Sequence, residues 1–108
     1  NLVVRTQLIH DLPGKDLRAI VDDAKKELGT ACIFLFSEFD GKLNIAVGIS
    51  EDLTDKFDAS FFAKEISLLT KGKGGGGRKD FAQAGGEIQA SLDCIYEFIL
   101  DKVKNINN

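Results

Sequence analysis

The sequence predicts an α/β fold: a single domain in which a mixed β-sheet with a β-hairpin packs against helices, in the order β-α-β-β-α-β-α. Three observations carry this reading. Apolar residues recur at helical spacing in three separate segments. Short β-branched or continuously apolar runs of strand length lie before and between those segments. An Asp-Gly pair, Asp40-Gly41, joins two of the runs and signals a hairpin, because both residues tolerate positive φ.

The first run, Leu2 to Ile9, is β-branched and ends at the turn-rich stretch His10-Asp11-Leu12-Pro13-Gly14, so it reads as a strand. Leu17, Ile20, Val21, Ala24 and Leu28 then fall on one face of a helix, with Gly29 suited to its left-handed C-terminal position. Ala31 to Phe36 is unbroken apolar chain, which predicts a strand covered on both faces. Leu43 to Ile49 forms the second arm of the hairpin. Asp58 is a candidate N-cap for a helix that carries Phe62, Ile66 and Leu69 on one face. A glycine loop follows at residues 72–77, and Phe81 to Ala84 reads as a short strand of edge length. Ile88, Leu92, Ile95, Tyr96, Ile99 and Val103 define a long last helix, and the tail Asn105 to Asn108 is expected to fray.

Composition narrows the chemistry. The chain has 108 residues, 44% hydrophobic and 29% charged, as in an ordinary soluble domain. It contains no Met, which suggests a domain excised from a larger chain. No signal peptide and no membrane-length apolar run is visible, so a cytoplasmic setting without a membrane partner is expected. Cys32 and Cys94 are far apart and read as free thiols. One His and two scattered Cys do not make a zinc site, which needs three or four close ligands. His10 reads as a turn residue, and Asp22-Asp23 as part of a solvated helix face.

The segment that needs explaining is Lys71-Gly72-Lys73-Gly74-Gly75-Gly76-Gly77-Arg78-Lys79-Asp80. The net charge of the chain is −3, yet this stretch holds four cations against one carboxylate, a local +3 on a remainder of −6. Attraction of phosphate is local at physiological salt, where screening acts over roughly 8 Å. The glycines satisfy G-x-G-x-x-G literally. A dinucleotide fingerprint, however, requires a strand before and a helix after, and here a helix comes first. A P-loop fails as well, since Gly-Lys-Ser/Thr is absent. A flexible connector is the bland alternative. Against it stand the short length and the flanking cations, which favour an anion-binding loop of exposed amides with Lys73, Arg78 and Lys79 adding charge.

From Gly74 through Arg78, Asp80, Ala82-Gln83 and Gly85-Gly86, the chain resembles the signature near the C-terminus of alanyl-tRNA synthetases, in the module also found as an appendage of DHH phosphoesterases. The family pattern places Pro where Lys79 stands, and Lys79 leaves the loop freer and more charged. The resemblance covers nearly the whole chain. It implies a C-terminal tRNA-binding domain over residues 1–108, without catalytic residues or a cofactor of its own. The implied partners are tRNA, alanine tRNA first, and other domains of the parent ligase. The tRNA elbow would be held while aminoacylation and editing proceed elsewhere.

Carried over residue by residue, RNA contact falls on Gly74, Gly75, Gly76, Gly77, Arg78 and Gln83, and the local charge adds Lys73 and Lys79 to the expected RNA-binding set. Asp80, Gly85 and Gly86 would structure the loop, Asp80 by pairing with Arg78. Gln83 stands open between RNA contact and bracing, and Phe81 between core packing and base stacking, with core favoured. A free-standing editing protein with the same appendage would fit as well, and two readings of other classes remain. One is the nucleotide-phosphate-binding half of a DHH-type phosphoesterase, although that family tends to carry His where Arg78 stands. The other is a self-association module forming a homodimer, since Phe98 and Leu100 widen the apolar arc of the last helix.

Overall fold

In a computed structural model, residues 3–89 and 91–107 are described. Five strands and three helices alternate along the chain: β1 (Val3–His10), α1 (Leu17–Leu28), β2 (Ala31–Phe39), β3 (Lys42–Ile49), α2 (Ala59–Leu69), β4 (Gly74–Gly77), β5 (Phe81–Gly86) and α3 (Asp93–Asn107). Single turns of 3-10 helix at Gly14–Asp16 and Glu51–Leu53 precede α1 and follow β3. The sheet order is β1-β2-β3-β5-β4. β1 runs parallel to β2, because α1 carries the chain back between them, and every other pair is antiparallel. The fold class is the mixed α/β class expected.

Local chemistry explains most of the elements. Asp40 and Gly41 take φ of 54° and 75°, and this turn sets the β2–β3 register from Phe39↔Lys42 to Cys32↔Ile49. Gly29 closes α1 at φ 74°, its N–H bonded to the Lys25 carbonyl at 2.9 Å. The Asp58 carboxylate accepts from Ser60 N at 2.9 Å and so caps α2. Seven successive β2 residues, Ala31 to Ser37, are buried, as befits a central strand with helices on both faces.

Alternation along the strands divides the core in two. Phe34, Phe36, Ile45, Val47 and Ala82 face α2 and α3. Ile33, Leu35, Ala46 and Phe81 face α1. Phe62 anchors the larger half, its ring meeting Phe34 edge-on at 5.1 Å and Phe98 at 6.4 Å. On the smaller half, Gly48 decides how α1 sits. A Cβ there would overlap Val21 Cγ1, so the missing side chain lets the helix rest directly on β3.

Three expectations need correction. The glycine loop is in part a strand: Gly74–Gly77 form β4, paired with β5 from Gly74↔Gly85 to Gly77↔Ala82. The order gains a strand, and β5, at Phe81–Gly86, lies inside the sheet between β3 and β4. Four glycines carry no side-chain alternation, so no pattern announces the pairing. The last helix begins at Asp93, where Ser91 Oγ accepts from Asp93 N at 3.1 Å, and exposed Ile88 precedes it. That helix continues through Asn107, where fraying was expected. Leu2 and Asn108, named in the strand and tail readings, lie outside the described residues.

Candidate nucleic-acid interface

β4 is one of the two edge strands, opposite β1, and its four residues contribute no side chains to that edge. Two anchors make it a strand. At its start, buried Ser67 of α2 donates from Oγ to the Gly85 carbonyl at 2.5 Å and accepts from Gly74 N at 3.0 Å, while Gly72 N donates to the Ser67 carbonyl at 2.7 Å. At its end, Arg78 N donates to the Phe81 carbonyl at 2.8 Å and closes the turn into β5. Antiparallel pairs alternate between bonded and non-bonded. The bonded Arg78–Phe81 pair therefore makes Gly76–Gln83 bonded and leaves the N–H groups of Gly75 and Gly77 directed to the open edge.

The glycines differ in why they lack side chains. A Cβ on Gly75 would overlap Ala84 Cβ, and one on Gly77 would lie 2.5 Å from the Phe81 carbonyl oxygen, so close strand approach requires both. A Cβ on Gly74 would meet nothing within 4 Å, but its φ of 100° strains any side-chain-bearing residue. At Gly76 a Cβ would also meet nothing, and no positive φ constrains it. Gly85 is exposed, with Leu43 O the one heavy atom near a Cβ, at 3.8 Å. Gly86 lies against Thr70, which a Cβ would overlap.

The cations bracket this bare strand. Lys71 and Lys73 stand exposed before it, and Arg78 and Lys79 exposed after it. At 3.3–3.4 Å per residue, Lys73 and Arg78 are about 17 Å apart along the edge, roughly two screening lengths. The two ends therefore act as separate centres of attraction. Asp80 tempers the second end, its carboxylate 3.7 Å from Arg78 Nε. Its carbonyl accepts from Ile49 N at 2.8 Å and from Lys25 Nζ at 2.7 Å, which fixes the turn to β3 and α1. Gln83 is exposed and donates from Nε2 to the Gly14 carbonyl at 3.0 Å. Phe81 is 7% exposed and belongs to the α1 side of the core.

Sequence reasoning missed three contributors: Ser67, which anchors β4; Lys25, which braces the Asp80 turn; and Arg18, whose guanidinium lies 4.7 Å over the Phe81 ring. Each reads in sequence as an ordinary helix residue. Among the described residues, no group of three or more His, Cys, Asp or Glu is placed to hold a metal ion.

A five-stranded mixed sheet edged by a basic glycine strand defines the class, and a DHHA1 domain model matches residues 2–105. The chain belongs to the DHHA1 domain family. Its relatives include the alanine–tRNA ligase of Paramagnetospirillum magneticum, 43% identical over 93 residues, which are 82% of this chain and 11% of that protein. The alanine–tRNA ligase of Jannaschia sp. is 41% identical over 88 residues, 82% of this chain and 10% of that protein. The chain thus spans about a tenth of the length of these curated relatives. Among solved structures, the C-Ala domain from Aquifex aeolicus alanyl-tRNA synthetase superposes with a TM-score of 0.83 at 25% identity, over 92% of this chain and 88% of that one.

Proposed function

We propose that this chain is the C-terminal tRNA-binding module of an alanyl-tRNA synthetase, holding the tRNA elbow while other domains of the parent enzyme aminoacylate and edit. The observation that carries the reading is the bare edge strand with two cations at each end. Such an edge offers backbone N–H donors and localised charge, with no side chains to keep a polyanion away. These features suit phosphate and ribose, and the recognition is of shape rather than of base sequence. Similarity to alanine–tRNA ligases over 82% of the chain supports the choice of RNA. The module needs no cofactor and no catalytic residue in this role. Alanine tRNA is its first partner and the cytoplasm its setting. Among the described residues, no helix is long and apolar enough to cross a membrane.

The test is a salt-titrated binding series with alanine tRNA, a non-cognate tRNA and a plain RNA duplex. Both tRNAs should bind more tightly than the duplex. Replacing Arg78 and Lys79 together with Ala should weaken tRNA binding and flatten the salt dependence by ~0.7–0.9 log units per lost phosphate contact. Unchanged affinity and slope would remove the edge from the RNA interface. Binding to none of the RNAs would move the function to self-association, for which Leu100 of α3 and Phe61, Leu68 and Leu69 of α2 are the exposed apolar residues.

A further inference from the structure

Resting on the tRNA-binding reading, we propose that Arg18 of α1 is a second phosphate-gripping residue, which with Arg78 lines a cleft on the α1 side of the sheet for a phosphodiester of the bound RNA. The cleft measures about 230 Å³ and is lined by Arg18, Gly76, Gly77, Arg78, Phe81 and Gln83. It joins two segments far apart in sequence, the start of α1 and the exit from β4. Gly48 makes the junction, because its missing side chain seats Val21, and with it Arg18 one turn earlier, close over β3 and β5.

The guanidinium of Arg18 is prepared for an anion. Its Cζ lies over the Phe81 ring, 4.7 Å from the centroid, a cation–π contact that uses none of its N–H donors. Its ion-pair partner is Asp22, on the Nε side at 4.0 Å, and Asp80 lies likewise on the Nε side of Arg78 at 3.7 Å. The terminal nitrogens of both groups remain available, and the two side chains are 53% and 70% exposed. Two planar cations at one cleft match a phosphodiester, which accepts paired hydrogen bonds in a plane. Gly76 supports the assignment independently. It borders the cleft, yet neither a close neighbour nor an unusual φ within the chain requires glycine there. A bare peptide at that point admits a sugar–phosphate chain to the cleft floor.

The experiment measures alanine tRNA binding by the 108-residue chain and its variants Arg18→Ala and Arg18→Lys, with the Arg78/Lys79 double-alanine variant as reference. Arg18→Ala should lower affinity roughly fivefold or more and reduce the salt slope by ~0.7–0.9, the value of one phosphate contact. The thermal midpoint should fall by only a few degrees, since the Phe81 and Asp22 contacts that Arg18 loses lie at the surface. Arg18→Lys should regain the slope but not the full affinity, because an ammonium offers no fork of donors. If Arg18→Ala leaves affinity and slope unchanged while the reference variant weakens binding, the inference fails and the tRNA-binding reading stands. If neither variant has an effect, both fail. Adenosine monophosphate and inorganic phosphate serve as competitors. Displacement of tRNA by either at submillimolar concentration, lost in Arg18→Ala, would reassign the cleft to a free phosphate and overturn the RNA assignment.

Discussion

Gly75 and Gly76 are neighbours on one strand, but the chain constrains them differently. Gly75 stands opposite Ala84 at a separation that leaves no room for a Cβ, whereas Gly76 looks into open space. Gly75→Ala should therefore push β4 off β5 and destabilise the domain by about 1–3 kcal/mol, as overpacking does. Gly76→Ala should leave stability unchanged or raise it by up to about 0.5 kcal/mol, because alanine restricts the unfolded chain more than glycine. Urea unfolding of the two variants separates them, and equal losses would show that Gly76 is also held by the fold. Paired with tRNA binding, the same two variants divide the glycine run into positions kept for folding and a position kept for the ligand.

β4 is an element without side chains of its own, and its persistence rests on α2 and β5. Ser67 is the main link, since one buried hydroxyl serves both the Gly85 carbonyl and the Gly74 amide. Ser67→Ala should cost about 1–3 kcal/mol, the penalty for leaving a buried polar partner unmet. The loss should be local. Hydrogen exchange at Gly74 and Gly76 should speed up well before that of β2 and β3, which lie at the centre of the sheet. Uniform acceleration across the sheet would instead make β4 part of the global unfolding unit. An exposed edge strand is also a template for aggregation, and the lysines beside β4 guard against it by charge. The cations at this edge therefore have a protective role beside the proposed RNA contact.

For the molecule as a whole, the sheet with helices on both faces sets the solvent access of every group on β2. Cys32 is wholly buried in the core half that faces α2 and α3. Burial, and secondarily the Asp52 carboxylate, push its thiol up from 9.0 to about 12. The native state therefore keeps the proton after the unfolded chain has released it. This contribution to stability is fully present below pH 9 and should be lost as pH rises toward 12, by about 1.4 kcal/mol per pH unit. Unfolding at pH 8 and pH 10.5 in the wild type and in Cys32→Ala measures this. An equal alkaline loss in both would assign the effect to other groups. Cys94 is exposed and reports on the same architecture. A thiol reagent should modify Cys94 in the native chain and reach Cys32 only on unfolding.

Features encoded by neighbouring residues were legible in the chain. The α1 stripe from Leu17 to Leu28, the turn at Asp40-Gly41 and the Asp58 cap each follow from a local period, an allowed φ or a side chain reaching its own backbone. The glycine motif and its cations were legible for the same reason, as was the resemblance they carry. Pairing of distant segments was not. β4 has no side chains from which to read a register, and the start of α3 depends on Ser91 rather than on the apolar period that includes Ile88. Lys25 reaches Asp80 across 55 positions, and Gln83 reaches Gly14 across 69. Arg18 meets the site because Gly48 lets α1 lie close to the sheet. Such contacts arise from how helices seat on a folded sheet, and the packing that seats them exists only once the strands have paired.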